Sequence, residues 1–285
     1  MRDRDVTQRV ALIGYPLKRR HSVIMHNAAF DHFSIDAVYE LREMARDGVP
    51  SFVREARGDE WLGFQVTAPY KQIVMEHLDE IESGANQIGA VNSVLRREDG
   101  TLVGFNTDAP GFQRAAEGEL NVQFSGLRVA VAGAGGVARA VVHALVTAGA
   151  ESVVVCDLEP SRAEDLATGF GDDVRAAAVG DEFEEELRQV AFAVNATTVG
   201  MLQPGVAFDP SVLQDSAAVF DLVYNPPETE LLRRVRARGL PASNGLGMLI
   251  AQAEIAFERW TGESGAGPIM RTALAAEPES GQLGG

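Results

Sequence analysis

Two sets of residues combine type and spacing in a way that allows chemistry. The first is Gly133-Ala134-Gly135-Gly136-Val137-Ala138, a G-x-G-x-x-A pattern. Glycines in such a turn permit a tight bend and let main-chain amides approach a pyrophosphate, while the small last residue seats a helix on its strand. The helix N-terminus adds outward N–H groups and the positive end of a dipole. Asp157 follows about 20 residues on, where an acid accepts hydrogen bonds from the adenosine ribose and repels a 2′-phosphate. The pattern therefore predicts a dinucleotide, with NAD favoured over NADP. The plainer alternative is a glycine-rich turn with a surface aspartate, but the apolar run before it and the helical pattern after it fit the fingerprint.

The second set is four clusters in the first half: Ser22 with His26-Asn27, Thr67-Ala68-Pro69-Tyr70-Lys71, Gly89-Ala90-Val91-Asn92-Ser93, and Gly104-Phe105-Asn106-Thr107-Asp108. Each places polar side chains beside turn residues, where binding groups concentrate. Taken singly they have structural readings: Lys71 as a solvated lysine, Asp108 as a helix cap ahead of Pro110, Asn92 as a turn residue. His21 and His26 lack the i,i+4 spacing of a helical zinc pair, and no metal site is expected.

The elements that must position these residues alternate in the α/β manner. Strands are predicted at Val10–Ile13, Ala37–Leu41, Gly63–Val66, Val91–Arg96 and Leu102–Phe105, the last two joined by a hairpin turn at Glu98-Asp99-Gly100. Helices are predicted at Val23–Phe30, Met44–Arg57 and Tyr70–Ile81. After a polar, glycine-punctuated stretch, Ala115–Gly126, a β-α-β series follows: strand Val129–Ala132, helix Val137–Ala148, strand Ser152–Val155, helix Ser161–Gly169. Further strands are predicted at Phe192–Asn195 and Val219–Val223, and helices at Glu228–Arg238 and Met248–Trp260. No internal repeat or heptad pattern is present.

The chain has 285 residues, with 25 Lys+Arg against 41 Asp+Glu and a formal charge of −16. That length suits two domains of about 100–150 residues. So acidic a chain is a poor candidate for holding nucleic acid or anionic lipid through its net field. Its one cysteine, Cys156, excludes an internal disulfide and a multi-cysteine metal site. Met1–Gln8 lacks the apolar stretch of a secretory signal, and no apolar run reaches the ~18 residues of a membrane span. A cytoplasmic protein is the expectation.

In order, the motifs resemble the shikimate dehydrogenase family over almost the whole chain. Gly14-Tyr15-Pro16, Ser22 and His26-Asn27 are similar to its G-x-P…S-x-S-P…H-N segment, and Gln65–Lys71 to its N-V-T-x-P-F-K. Gly89–Ser93 and Asn106-Thr107-Asp108 resemble G-A-V-N-T and N-T-D. Asn195–Met201 resembles N-A-T-P-x-G-M, and Asp221–Pro226 and Asn244–Leu249 with Gln252 complete the series. The resemblance implies a Rossmann-type dinucleotide-binding domain plus a discontinuous α/β substrate-binding domain, with the active site in the cleft between them. The boundaries expected are 1–108 for the substrate domain, 109–243 for the nucleotide domain, 244–276 for helices returning to the substrate domain, and 277–285 as a flexible tail.

It further implies reversible hydride transfer between a nicotinamide dinucleotide and a ring alcohol, with Lys71 and Asp108 as the catalytic pair. The substrate would be a small cyclic hydroxy-acid, shikimate or quinate. Ser22, Thr67, Asn92, Tyr224 and Gln252 would hold it, with Tyr224 at the carboxylate end. Asn195, Thr197 and Gly245 would join Gly133, Ala134, Gly135, Gly136, Val137 and Asp157 around the cofactor. Monomer and homodimer both stay open.

Three departures bear on specificity. Arg20 stands where the family has a carboxylate-gripping serine. It reads as a bidentate partner for the carboxylate, as a filler that selects a different substrate, or as one more solvated charge in Lys18-Arg19-Arg20. Gln65 replaces an asparagine, which either adjusts the ring contacts or turns toward the core. Asp157-Leu158-Glu159 stands where NADP-type members carry Asn-Arg-Thr, which removes the arginine that clamps a 2′-phosphate and favours NAD. A dinucleotide-binding sensor without catalysis is the rival class, against which both Lys71 and Asp108 are present.

Overall fold

The computed structural model describes residues 7–17, 20–201 and 203–277. The expectations for Met1–Val6, for Lys18 and Arg19, and for the tail beyond Glu277 lie outside the described residues. Contacts divide the chain into two compact units, one running to Thr107 and resuming at Ile250, the other spanning Asp108–Leu249.

The first unit is built on six strands: β1 Gln8–Gly14, β2 Ala37–Glu43, β3 Trp61–Val66, β4 Glu80–Ile81, β5 Ser93–Arg96 and β6 Leu102–Phe105. Their order is β2-β1-β3-β5-β6-β4. The apolar run of β1 lies between β2 and β3, parallel to both. The predicted hairpin forms, with β5 antiparallel to both β3 and β6. Helices α1 (His21–His32), α2 (Val49–Glu55) and α3 (Ser83–Ile88) belong to this unit. Phe52 on α2 meets Trp61 and Phe64 edge-on at 5.4 and 5.1 Å, closing one core over Ala11, Ile13 and Val66.

The predicted helix over Tyr70–Ile81 does not form. A short 3₁₀ segment, Ile73–His77, leads instead into β4. Pairing with β6 overrides the helical spacing: the Asp79 carboxylate accepts the Leu102 N–H at 2.8 Å and the Arg57 guanidinium at 2.6 Å. Likewise Met44–Arg57 is not one helix, since a 3₁₀ turn at Arg46–Gly48 precedes α2, where Pro50 starts a new first turn.

The second unit holds six parallel strands: β7 Arg128–Ala132, β8 Ser152–Cys156, β9 Val174–Ala176, β10 Phe192–Asn195, β11 Ala218–Asp221 and β12 Ala242–Asn244. The order is β12-β11-β10-β7-β8-β9, the doubly wound arrangement of a Rossmann-type domain. The chain starts in the middle, runs out to β9, then crosses back to β10. The switch point between β7 and β10, at the carboxyl ends of the strands, is where such sheets bind ligands. The helices are α4 (Asp108–Leu120), α5 (Gly136–Thr147), α6 (Pro160–Phe170), α7 (Asp181–Leu187) and α8 (Glu230–Ala237).

The sequence pattern concealed α4, because Gly111 and Gly118 interrupt it. Packing makes it a helix: Phe112 stacks on Phe124 at 5.7 Å and meets Phe220 edge-on at 5.4 Å. The chain then returns through α9 (Leu246–Thr261), and α10 (Gly267–Ala276) follows. In the first unit Phe257 packs on Phe30 at 5.2 Å, and the Trp260 indole donates to the Val94 carbonyl at 3.0 Å. A Cβ on Gly63 would come within 2.6 Å of that indole nitrogen, so glycine there admits the anchor that fixes this end of α9. Among the described residues no helix is long and apolar enough to cross a membrane, and no group of three metal-ligating side chains occurs.

Candidate functional site

In the first unit the polar clusters converge at the carboxyl end of β3. Thr67 follows β3, and its N–H donates to the Ile13 carbonyl at 2.9 Å. Tyr70 N–H closes the turn onto the Thr67 carbonyl at 2.9 Å, and the Lys71 carbonyl accepts from Val91 N–H at 2.8 Å. Thus the segments carrying Thr67, Lys71 and Asn92 are tied through main chain. Thr67 and Lys71 are half-buried, while Asn92 is buried.

One main-chain donor fixes the orientation of the Asn92 amide. Thr107 N–H donates to Asn92 Oδ1 at 2.8 Å, so Asn92 Nδ2 faces and donates to Thr107 Oγ1 at 3.0 Å. Thr107 Oγ1 lies 3.3 Å from both Asn92 Oδ1 and Gln252 Oε1, two acceptors for its single proton. Gln65 Nε2 donates to the same Gln252 oxygen at 3.0 Å, and Gln65 Oε1 accepts from the Tyr39 hydroxyl at 2.6 Å. Gln65 is therefore a buried member of the site and does not turn into the apolar core. Ser22 is half-buried on α1 and bonded to Tyr39. Burial pushes the Tyr39 hydroxyl far above its ordinary value, so it remains a donor.

Arg20 precedes α1, makes no side-chain cap bond and is exposed. Asp108 opens α4, where its carboxylate is nearly buried and favourably placed at the helix N-terminus.

In the second unit Gly133 follows β7 with φ +105°, and a Cβ there would lie 2.9 Å from the Ala196 carbonyl. Both conformation and packing demand glycine. Gly135 and Gly136 differ, because an added Cβ on either meets nothing within 4 Å. No protein atom explains why they are glycine. Gly135 is the N-cap of α5, has no side chain to cap it, and leaves the first-turn amides of Gly136 and Val137 directed outward. This open cradle, at the switch point and at a helix N-terminus, fits the pyrophosphate of a dinucleotide.

Asp157 Oδ2 accepts the Ala134 N–H at 2.8 Å, and Oδ1 accepts the Glu159 N–H at 3.0 Å. The Ala134 amide is thus used to seat Asp157. Leu158 beside it is 87 % exposed.

The loop after β10 crosses this turn and is pinned from below. Asn195 Oδ1 accepts from Thr197 N–H at 3.0 Å and from the Thr197 hydroxyl at 2.7 Å. Asn195 Nδ2 donates to Asp221 Oδ1 at 2.8 Å. Asp221 also accepts from Val223 N–H and from the Thr229 hydroxyl. Burial pushes its carboxyl up while those three donors pull it down. Asn195 is fully buried and acts by shaping the loop, whereas the half-buried Thr197 lies on it. Tyr224 is half-buried in the loop after β11. A Cβ on Gly245 would clash with the Leu222 carbonyl, so packing of the β12–α9 corner explains that glycine.

Sequence reasoning missed Tyr39 and Asp221 as members of these networks. Only the alternation of β2 marked Tyr39 as inward-facing, and nothing local named its partner.

The fold and these two constellations define a class: an α/β protein with a Rossmann-type dinucleotide domain and a second sheet carrying a polar cluster suited to a polyhydroxylated ligand. Family models match along the chain: the shikimate dehydrogenase substrate binding domain over residues 12–94, shikimate / quinate 5-dehydrogenase over 114–201, and the shikimate 5'-dehydrogenase C-terminal domain over 245–274. The shikimate dehydrogenase (NADP(+)) of Methanopyrus kandleri is 41% identical over 277 residues, covering 94% of this chain and 95% of its own. Shikimate 5-dehydrogenase from Thermus thermophilus, solved with NADP(H) and shikimate, superposes with a TM-score of 0.84 at 36% identity, covering 95% of this chain and 100% of that one. Quinate dehydrogenase from Corynebacterium glutamicum, solved with NAD, gives 0.88 at 35% identity with the same coverage. The chain belongs to the shikimate dehydrogenase family.

Proposed function

We propose that this protein is a dehydrogenase that reversibly transfers a hydride between NAD(H) and the ring alcohol of shikimate, with quinate the nearest alternative. The reading is carried by the buried cluster of Asn92, Thr107, Gln65 and Gln252, whose amides are oriented from two ends, by Thr107 N–H at Asn92 Oδ1 and by the Tyr39 hydroxyl at Gln65 Oε1. Such a fixed array suits a ring bearing several hydroxyls, because each hydroxyl meets a defined donor or acceptor.

When bound, the nicotinamide accepts or supplies the hydride. Lys71 hydrogen-bonds the oxygen of the reacting alcohol and Asp108 orients the lysine. Oxidation needs a group to receive the hydroxyl proton, and reduction needs a donor to the developing alkoxide. Thr67, Asn92 and Gln252 hold ring hydroxyls, while Ser22 and Tyr224 serve the carboxylate end. The unit that runs to Thr107 and resumes at Ile250 forms the substrate part, and Asp108–Leu249 the nucleotide part.

NAD is the cofactor we favour, although the relative from Methanopyrus kandleri carries NADP(+) in its name. Asp157 and Glu159 flank an exposed leucine, and Arg162 is paired with Glu159 at 2.7 Å, so a 2′-phosphate would meet the Asp157 carboxylate and no arginine in the register of Leu158.

A screen of shikimate and quinate against NAD and NADP, followed by absorbance of the reduced nicotinamide, tests the proposal. Turnover of neither substrate refutes the reaction, and a higher kcat/KM with NADP than with NAD refutes the cofactor preference. A second reading, an altered ring-acid substrate, is favoured by Arg20. It predicts that Arg20→Ser changes the shikimate KM, and an unchanged KM assigns Arg20 to solvent.

A further inference from the structure

His26 and Asn27 formed one of the polar clusters in the sequence, yet the reaction outlined above uses neither. The structure gives them a common object. The Asn27 side-chain amide brackets the Tyr39 peptide, with Nδ2 donating to the Tyr39 carbonyl at 3.0 Å and Oδ1 accepting its N–H at 2.7 Å. The His26 ring stacks on the Tyr39 ring, with centroids 4.5 Å apart and planes 11° from parallel. Ser22, from the same helix, bonds the Tyr39 hydroxyl. Tyr39 is 1 % exposed and is held by backbone, ring face and hydroxyl.

So firm a hold suggests that the position of the hydroxyl matters. It donates to Gln65 Oε1 at 2.6 Å. With its oxygen so engaged, the Gln65 amide turns Nε2 to Gln252 Oε1 at 3.0 Å, the oxygen that Thr107 also addresses. Gln252 is thereby locked with its carbonyl toward Gln65 and Thr107 and its NH₂ on the opposite side. Without the tyrosine proton, Gln65 keeps its His26 and Gln252 contacts but loses the shortest bond that fixes its oxygen, and a flipped Gln65 places carbonyl against carbonyl at Gln252. The asparagine that resembles Gln65 in the family pattern is one methylene shorter, so the reach from Tyr39 to Gln252 depends on glutamine here.

We infer that Tyr39, held by the His26-Asn27 pair, is a positioning residue that sets substrate specificity by fixing Gln65 and through it the amide of Gln252. This deepens the proposed reaction and rests on Gln252 holding a ring hydroxyl of the substrate.

Tyr39→Phe keeps the ring and its stack and removes the hydroxyl, and with it the donor to Gln65 and the partner of Ser22. The expected result with shikimate is a KM raised about tenfold, the scale of one misdirected buried hydrogen bond. The kcat should stay within about threefold and the NAD KM within about twofold. A merely structural role would lower the melting temperature and shift both KM values together. In a double-mutant cycle, Tyr39→Phe should add little to Gln252→Ala, since both act through one amide. An unchanged shikimate KM, or effects that multiply in the cycle, would overturn the inference. Gln65→Leu supplies a second route to the same comparison should Tyr39→Phe fold poorly.

If the wild-type protein turns over neither shikimate nor quinate, the proposed reaction has failed. Crystal structures of the wild-type and Tyr39→Phe proteins then decide the inference alone. A Gln65 or Gln252 amide displaced by more than about 0.5 Å supports it, and unmoved amides reject it.

Discussion

Lys71 is the residue on which the proposed chemistry turns. Its carbonyl is pinned by Val91 N–H, so the backbone of Lys71→Ala keeps its place while the ammonium is lost. We expect kcat to fall by at least ~10²-fold, the scale of losing an acid–base group, with the melting temperature unchanged. Near-normal turnover in a steady-state assay would remove Lys71 from the role. His26 makes a different prediction. Burial holds its imidazole down, to about 3, so the folded chain keeps it neutral where the unfolded chain, at about 6.5, takes up a proton. Stability is therefore complete above about pH 6.5, declines as pH falls through the window between the two values, and levels off below about 3. The slope from this one group is about 1.4 kcal/mol per pH unit. Urea unfolding at pH 7 and pH 5 should show the loss, and His26→Phe should flatten it. An equal loss in the variant would show that other groups carry it.

At the scale of the element, the glycine turn separates two reasons for the same residue type. Gly133 has a left-handed φ and abuts Ala196, so Gly133→Ala should cost about 1–3 kcal/mol of stability, visible as a lower melting temperature. Gly135 has φ −76° and open space around its missing side chain. Gly135→Ala should leave stability within about 0.5 kcal/mol while raising the cofactor KM about tenfold, or about 1.4 kcal/mol. If both variants lose stability and neither alters cofactor KM, the turn is structural only. This turn was legible in the sequence because its chemistry is local: strand, glycines, helix and acid follow one another along the chain. The relay from Tyr39 to Gln65 to Gln252 was not, since its bonds join residues 26 and 187 positions apart. Helix α4 and the 3₁₀ segment before β4 were misread for a related reason. Aromatic packing on Phe112 and edge pairing with β6 decided those segments against their local pattern.

At the scale of the whole molecule, composition and topology carry separate messages. The alternation of strands and helices announced an α/β protein and the length two domains, yet neither revealed that the first unit would mix parallel and antiparallel strands while the second would be wholly parallel. That difference follows from the connections: a hairpin joins β5 to β6, whereas the strands of the second unit are joined by crossovers. Nor does local pattern reveal that the chain from Ile250 onward rejoins the first unit, because long-range contacts make that return favourable, among them burial of the Phe257 and Trp260 rings and the Arg259–Glu82 pair. Net charge adds a consequence of its own. On the proposed reaction a chain of −16 draws in a dinucleotide and a ring carboxylate that are both anionic, and its long-range field opposes each approach. At the glycine turn the proposed attraction would come from main-chain amides and a helix dipole, which act over one turn of helix, while Asp157 and the Glu159–Arg162 pair stand nearby. Salt therefore screens repulsion more than it screens attraction, because the Debye length shrinks from about 30 Å at 0.01 M to about 8 Å at 0.15 M. Over that range kcat/KM for NAD should rise about twofold or more in initial-rate measurements with an inert monovalent salt. A fall over the same range would mean that lysine or arginine side chains, not amides, bring the cofactor in.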